Sequence, residues 1–318
     1  MSIKRRQFLV LGSLSGFGLA FLGNMFRAQI ARSEHINVAD SSNLPSEPKI
    51  PLPTPKLGEA PLLRFVSVAD TGTGAKGQYA VASAIANYHK QNPFDLVVLA
   101  GDNIYNNGEI EKIGEVFERP YQPLLQQGVK FYACLGNHDI RTQNGDLQVR
   151  YPGFNMQGRY YTFCRDRVQF FALDTNHNAN WKDQLAWLEK ELSSSDAPWK
   201  IVFGHHPIYS SGHYGVNRVF IDSLTPLFQK YGVQLYINGH DHNYERTVPI
   251  KGTTYLICGA GAGVRPVGRS AWTAHSASKL SFATVEVYSD RMVISGIGTD
   301  NRVFDQGAIA LQQTMTSS

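Results

Sequence analysis

Residues 94–105 read FDLVVLAGDNIY. The apolar run from Phe94 to Ala100 is short, with two valines at its centre, and reads as a buried strand. Its end carries Asp102, and Tyr105 follows three residues later. An acid at a strand end is ordinary. Whether the tyrosine packs or offers its oxygen depends on what other strand ends bring to Asp102.

The flanking segments supply several such ends. LLRFVSVAD (62–70) reads as a strand closing on Asp70, and GQYAVASAIANYHKQ (77–91) as an amphipathic helix. A helical region is expected over 110–127, interrupted at Pro120 and Pro123. VKFYACLGNHD (129–139) reads as a strand, 140–158 as a polar loop, and 159–175 as two strands about a tight turn. Helices are expected over 180–195 and 218–232. The strands expected besides are 199–206, 233–242, 253–263, 280–290 and 291–298. Helices and strands alternate early and strands pair later, which points to an α/β core with one mixed sheet or two packed face to face.

Five strand ends carry residues able to hold a metal: Asp70 in ADTG, Asp102 in GDNIY, Asn137 and His138 in GNHD, His205 in VFGHH, and His240 and His242 in GHDH. Counting His206 and His213, six of the ten histidines lie at or near these ends. Carboxylate, imidazole and amide oxygen suit hard or borderline ions. An aspartate with two oxygens can bridge two metals, and such a pair clamps both oxygens of a phosphoryl transfer. In a pleated GHDH segment, alternation would aim His240 and His242 the same way.

The ordered set D-x-G, G-D-x-x-Y, G-N-H-[DE], V-x-x-H and G-H-x-H resembles the metallophosphoesterase superfamily, and Tyr105 its purple acid phosphatase branch, in the small, tartrate-resistant form. The resemblance implies a four-layer αββα sandwich of two mixed sheets flanked by helices, over a catalytic domain at 62–305. It implies one metal held by Asp70, Asp102, Tyr105 and His242, and a second by Asp102, Asn137, His205 and His240. The first would be Fe(III), bound by the Tyr105 phenolate, and the second a divalent Fe, Zn or Mn. It implies acid phosphatase activity on phosphate monoesters through in-line attack of a metal-bound hydroxide. His138 and His213 are the alternatives for protonating the leaving group. A phosphodiesterase, or a non-catalytic relative keeping the fold, are the competing readings. Asp139 is expected to orient an imidazole, Asp241 to be structural, His206 to lie behind the ligands, and GAGAG (259–263) to be a tight loop near the site.

The remaining chain bears on address rather than chemistry. KRRQFLV (4–10) and the apolar stretch 9–23 resemble a twin-arginine export signal over 1–33, too short for a membrane span. A periplasmic or secreted protein follows, with the export machinery and small phosphate esters as partners and no stable membrane association once mature. Six prolines among residues 45–61 mark 34–61 as a linker, and 306–318 reads as a polar tail. The formal net charge is +4, yet residues 1–33 hold five basic residues and no acid. The rest carries 25 Lys and Arg against 26 Asp and Glu, so nucleic acid is not expected as a main partner. Cys134, Cys164 and Cys258 lie in or beside apolar runs and are expected as buried thiols, a Cys164–Cys258 disulfide remaining the alternative.

Overall fold

The computed structural model describes residues 59–311. The expected export signal, nearly all of the proline-rich linker and residues 312–318 of the expected tail lie outside them.

Two mixed sheets form the centre. The first has six strands in the order β13 (Val303–Ala310), β12 (Arg291–Gly298), β11 (Ser281–Val287), β1 (Leu63–Val68), β2 (Leu96–Leu99) and β3 (Lys130–Ala133). The second has seven, in the order β10 (Thr273–Ala277), β8 (Tyr244–Thr247), β9 (Thr254–Cys258), β7 (Leu235–Asn238), β6 (Trp199–Phe203), β5 (Val168–Ala172) and β4 (Tyr161–Arg165). β1, β2 and β3 run parallel, as do β5, β6, β7 and β9. All their carboxyl ends therefore open toward one rim.

Alternation along each strand builds the layers. Phe65, Val98 and Phe170 face the inter-sheet core, where the Phe65 and Phe170 rings meet edge-on at 5.2 Å. Their neighbours Val66, Val97 and Leu99 turn outward onto α1 (Lys76–Gln91) and α2 (Arg119–Leu125). On the far side Phe171, Val202 and Tyr236 pack against α4 (Trp181–Ser193), α5 (Arg218–Ser223) and α6 (Thr225–Tyr231); α3 (Asp146–Val149) is one turn in the loop after β3. Both faces of the parallel strands are buried, which is why they read as continuous apolar runs. The expected αββα sandwich is the observed architecture.

Several expectations need correction. Residues 306–310 are not tail but the second half of β13, whose Asp305 and Ile309 are buried. Its alternation of apolar and polar residues about Gly307 hides it in the sequence. β8 and β10 were not expected either, because YERT and TAHSA carry little apolar signal. The helix over 218–232 is broken at Leu224, where Pro226 opens α6. The interruptions expected at Pro120 and Pro123 do not occur: a π-helical turn over Gly114–Glu118 runs straight into α2 at Arg119, Pro120 sits in the first turn of α2, and Pro123 lies inside it. Cys134 and Cys258 are buried, but Cys164 is exposed on β4 and all three are free. Four strand spacings separate β4 from β9, roughly 19 Å, far beyond the reach of a disulfide.

Candidate metal centre

Each of the five blocks leaves its strand and turns at once. Asp70, Asp102 and His240 all have left-handed backbone, with φ of 57°, 53° and 67°. Aspartate tolerates that region; for histidine it is strained, a cost usually found at functional positions. His240 and His242 therefore reach inward from a turn, not from the pleated segment expected. Gly136 and Gly239 are needed for proximity: a Cβ at Gly136 would overlap the Asp102 carboxylate, and one at Gly239 the Asp70 carboxylate.

The two aspartates work alike. Asp70 accepts the His240 backbone N–H through Oδ2 at 2.9 Å, leaving Oδ1 near Tyr105 Oη (3.0 Å) and His242 Nε2 (3.3 Å). Asp102 accepts the His138 N–H through Oδ1 at 2.9 Å and turns Oδ2 toward His205 Nε2 at 3.4 Å. Tyr105 Oη also lies 3.2 Å from His242 Nε2. His205 Nε2 is 3.1 Å from Asn137 Oδ1 and 3.2 Å from His240 Nδ1. The structure thus gathers Asp70, Tyr105 and His242 in one group and Asp102, Asn137, His205 and His240 in the other, with Asp102 beside Tyr105 as well.

This donor set fits cations. His205 gives its Nδ1–H to the Ala100 carbonyl at 2.9 Å, which fixes the tautomer and aims Nε2 at two oxygen acceptors. Oxygens and ring nitrogens packed this closely repel unless a proton or a metal lies between them. Burial pushes the Asp102 carboxyl up, but His205 and His138 outweigh it and hold it below the usual range. Burial likewise lowers His205, yet Asp102 and Asp70 raise it to about 9. Burial and then the two carboxylates drive the Tyr105 phenol well above its usual value. A compact group of carboxylates balanced only by such protons is a site that a metal would take over.

His138 borders the group. Its Nδ1 lies 2.7 Å from the Asn106 carbonyl, its ring packs on Tyr105 at 4.4 Å, and Nε2 is 4.0 Å from Asp102. His213 is not brought against the ligands. It is exposed, and the ring of Tyr214 stands in its place, stacked on His240 at 3.8 Å. Tyr214 thus fixes the plane of a candidate ligand. His206 lies beside His240 at 4.4 Å. Thr175 Oγ1 accepts the N–H of both His205 and His206, so its own proton goes to His206 Nδ1 at 2.9 Å. The proton of His206 then sits on Nε2, and this ring enters as a neutral donor. Burial and then His205 lower its pKa to about 3.

Three supports hold these groups in place, of which the sequence misread one and missed another. Asp139 does not orient an imidazole; it accepts the backbone N–H groups of Asn103, Ile104 and Gly136 at 2.7–3.1 Å and so ties GDNIY to GNHD. Asp241, structural as expected, accepts from Ser210 Oγ at 2.6 Å and from the N–H groups of His213 and Tyr214 at 3.3 Å. Arg265 bonds Tyr214 Oη at 3.0 Å and the His240 carbonyl at 3.3 Å. GAGAG is a loop against the site, with Gly259 pressed on Asp70 and Asp241. No sequence spacing announces these roles, because each partner comes from a different loop.

Comparisons with known proteins agree with this geometry. The model of the calcineurin-like phosphoesterase family matches residues 63–244. The chain is 30% identical over 248 residues to purple acid phosphatase 7 of Arabidopsis thaliana, covering 67% of this chain and 72% of that protein. It is 28% identical over 250 residues to mouse tartrate-resistant acid phosphatase type 5, covering 67% and 76%. Among solved structures, the fold is shared with GAP50, described as the anchor in the inner membrane complex of Plasmodium (TM-score 0.71, 24% identity, 80% of this chain and 90% of that one). It is also shared with a dimetal phosphatase from Danio rerio (TM-score 0.59, 17% identity, 79% and 100%).

Proposed function

Because this chain belongs to the calcineurin-like phosphoesterase family, in its purple acid phosphatase branch, we propose that it is an acid phosphatase hydrolysing phosphate monoesters at a two-metal centre. The observation that carries this reading is Tyr105 Oη lodged between Asp70 Oδ1 and His242 Nε2. Asp70, Asp102, Tyr105 and His242 would hold one ion, and Asp102, Asn137, His205 and His240 the other. When bound, the ions would polarise the phosphoryl group and acidify the attacking water. A phenolate oxygen at the first position favours ferric iron there, with Fe, Zn or Mn as the divalent partner.

The chain's own groups do the rest. The backbone N–H groups of His138 and His240 fix the two carboxylates, so the ligands need little rearrangement to bind. His138 is the better placed of the two candidate acids, since Asn106 holds its Nδ1 while Nε2 turns toward Asp102. A non-catalytic relative would be expected to have lost ligands, and all seven are present.

The test is turnover by the metal-loaded protein of 4-nitrophenyl phosphate against bis(4-nitrophenyl) phosphate. Preference for the monoester is expected; preference for the diester, or bound metal with neither hydrolysed, sinks the reading. Export by the twin-arginine route rests on KRRQFLV and the apolar stretch 9–23. Replacing Arg5 and Arg6 together by lysine should hold the protein in the cytoplasm, and unchanged export would remove that assignment.

A further inference from the structure

Next to the ligand group lies a cleft of about 460 Å³, within the roughly 300–1,000 Å³ range of small-molecule sites. One wall is Ser211 to His213 from the loop after β6; the other is Arg265 to Gly268 from the loop after β9. The first loop follows His205 at the end of β6, and the second continues from the GAGAG loop that lies against the site. The Arg265 N–H donates to the His242 carbonyl at 2.7 Å, so this wall is pinned to the ligand segment itself.

The cleft is built around a cation. One nitrogen of Arg265, Nη1, is held by Tyr214 Oη and the His240 carbonyl, which fixes the plane of the guanidinium. Its Nη2 and Nε have no hydrogen-bond partner among the described residues, and no acidic side chain pairs with it. The acids beneath the opposite wall are already committed. Asp241 is bonded to Ser210, His213 and Tyr214, and Glu245 to Ser211 and Thr273. An oriented guanidinium with free N–H groups, facing an exposed histidine, recognises carboxylate or phosphate. Pro266 and Val267 give the same cleft an apolar wall.

We propose that this cleft is a subsite for a second anionic group on the leaving part of the substrate, read by Arg265, so that the enzyme favours phosphate esters carrying two anions. The proposal rests on the monoesterase reading, with the scissile phosphate at the metal centre and the second anion at Arg265. Arg265 here determines specificity and takes no part in bond breaking.

Binding of three non-hydrolysable probes to the metal-loaded protein tests it by calorimetry: phenylphosphonate, (4-carboxyphenyl)phosphonate and benzene-1,4-bisphosphonate. Wild type should bind one or both two-anion probes about tenfold tighter than phenylphosphonate, and which one tells carboxylate from phosphate as the second group. Arg265→Gln should bring that ratio close to one. Equal affinities in wild type overturn the subsite. So does an Arg265→Gln variant that weakens all three alike, because a residue that merely braces Tyr214 and His240 would leave the ratio unchanged. Turnover of phenyl phosphate is measured in parallel. Its absence, with the affinity ratio intact, would reject the monoesterase reading and leave the anion subsite standing.

Discussion

Asp70 accepts the main-chain N–H of His240 at 2.9 Å across 170 residues of sequence. One oxygen of this carboxylate is thus used to hold the last block of the site against the first, and only the other faces Tyr105 and His242. Asp102 repeats the arrangement with His138. The candidate ligands are consequently also the fasteners of the loops that carry them.

Tyr105→Phe removes the phenol oxygen while keeping the ring that packs on His138. The iron-loaded variant should lose its visible phenolate-to-iron absorption and keep its far-ultraviolet circular dichroism. A wild-type protein that binds iron without such a band would make Tyr105 a packed aromatic only.

Asp139→Asn puts an amide among three backbone N–H donors that now share one carboxylate. Metal affinity should fall by about 10–100-fold, as for other groups that orient ligands. Competition against a chelator of known affinity measures it; unchanged affinity would mean that GDNIY and GNHD are held by other bonds.

Metal loading at pH 7 should release protons. In the metal-free protein His205 has its pKa raised to about 9, Asp102 and Asp70 outweighing the effect of burial. Its Nε2 therefore keeps a proton at pH 7 that an incoming cation displaces. The sign for the fold follows: this pair stabilises the metal-free protein below the ordinary histidine value of 6.5, and the contribution is lost as pH rises through about 9. Titration calorimetry in two buffers of different ionisation enthalpy reads the release directly, and identical heats would contradict it.

Asp305→Asn tests the strand that the sequence did not announce. Asp305 on β13 accepts from Arg246 at 2.7 and 2.8 Å and from Tyr244 Oη at 2.7 Å, joining the first sheet to β8 of the second. Loss of these charged bonds should cost about 1.5–3 kcal/mol in denaturant unfolding. Burial pushes the Asp305 carboxyl up, but Arg246 and Tyr244 hold it below the ordinary 3.8. Its contribution is therefore present above that value and lost as pH falls through the lower folded one. Wild type and variant should converge in stability at strongly acid pH; a constant gap would deny the ionic part.

Read on its own, the chain yields the chemistry and the order of the blocks. Asp70, Asp102, Tyr105, Asn137, His205, His240 and His242 stand out because buried strands have no need of acids and imidazoles at their tips. The apolar runs leave one sheet or two open, and it is the resemblance of the ordered blocks that implies two sheets between helices. Less legible are β8, β10 and β13, which are short or mixed in polarity; β13 pairs with its chain neighbour β12, while β10 pairs across to β8. Three things required the tertiary structure. The left-handed turns at Asp70, Asp102 and His240 are imposed by bonds between loops, not by local preference. The stack of Tyr214 on His240 and the clasp of Arg265 join segments that share no periodicity. The displacement of His213 from the ligands follows from that stack. Local sequence sets which groups each strand end can offer; only packing, which closes loops over 28 to 170 residues, decides which of them touch.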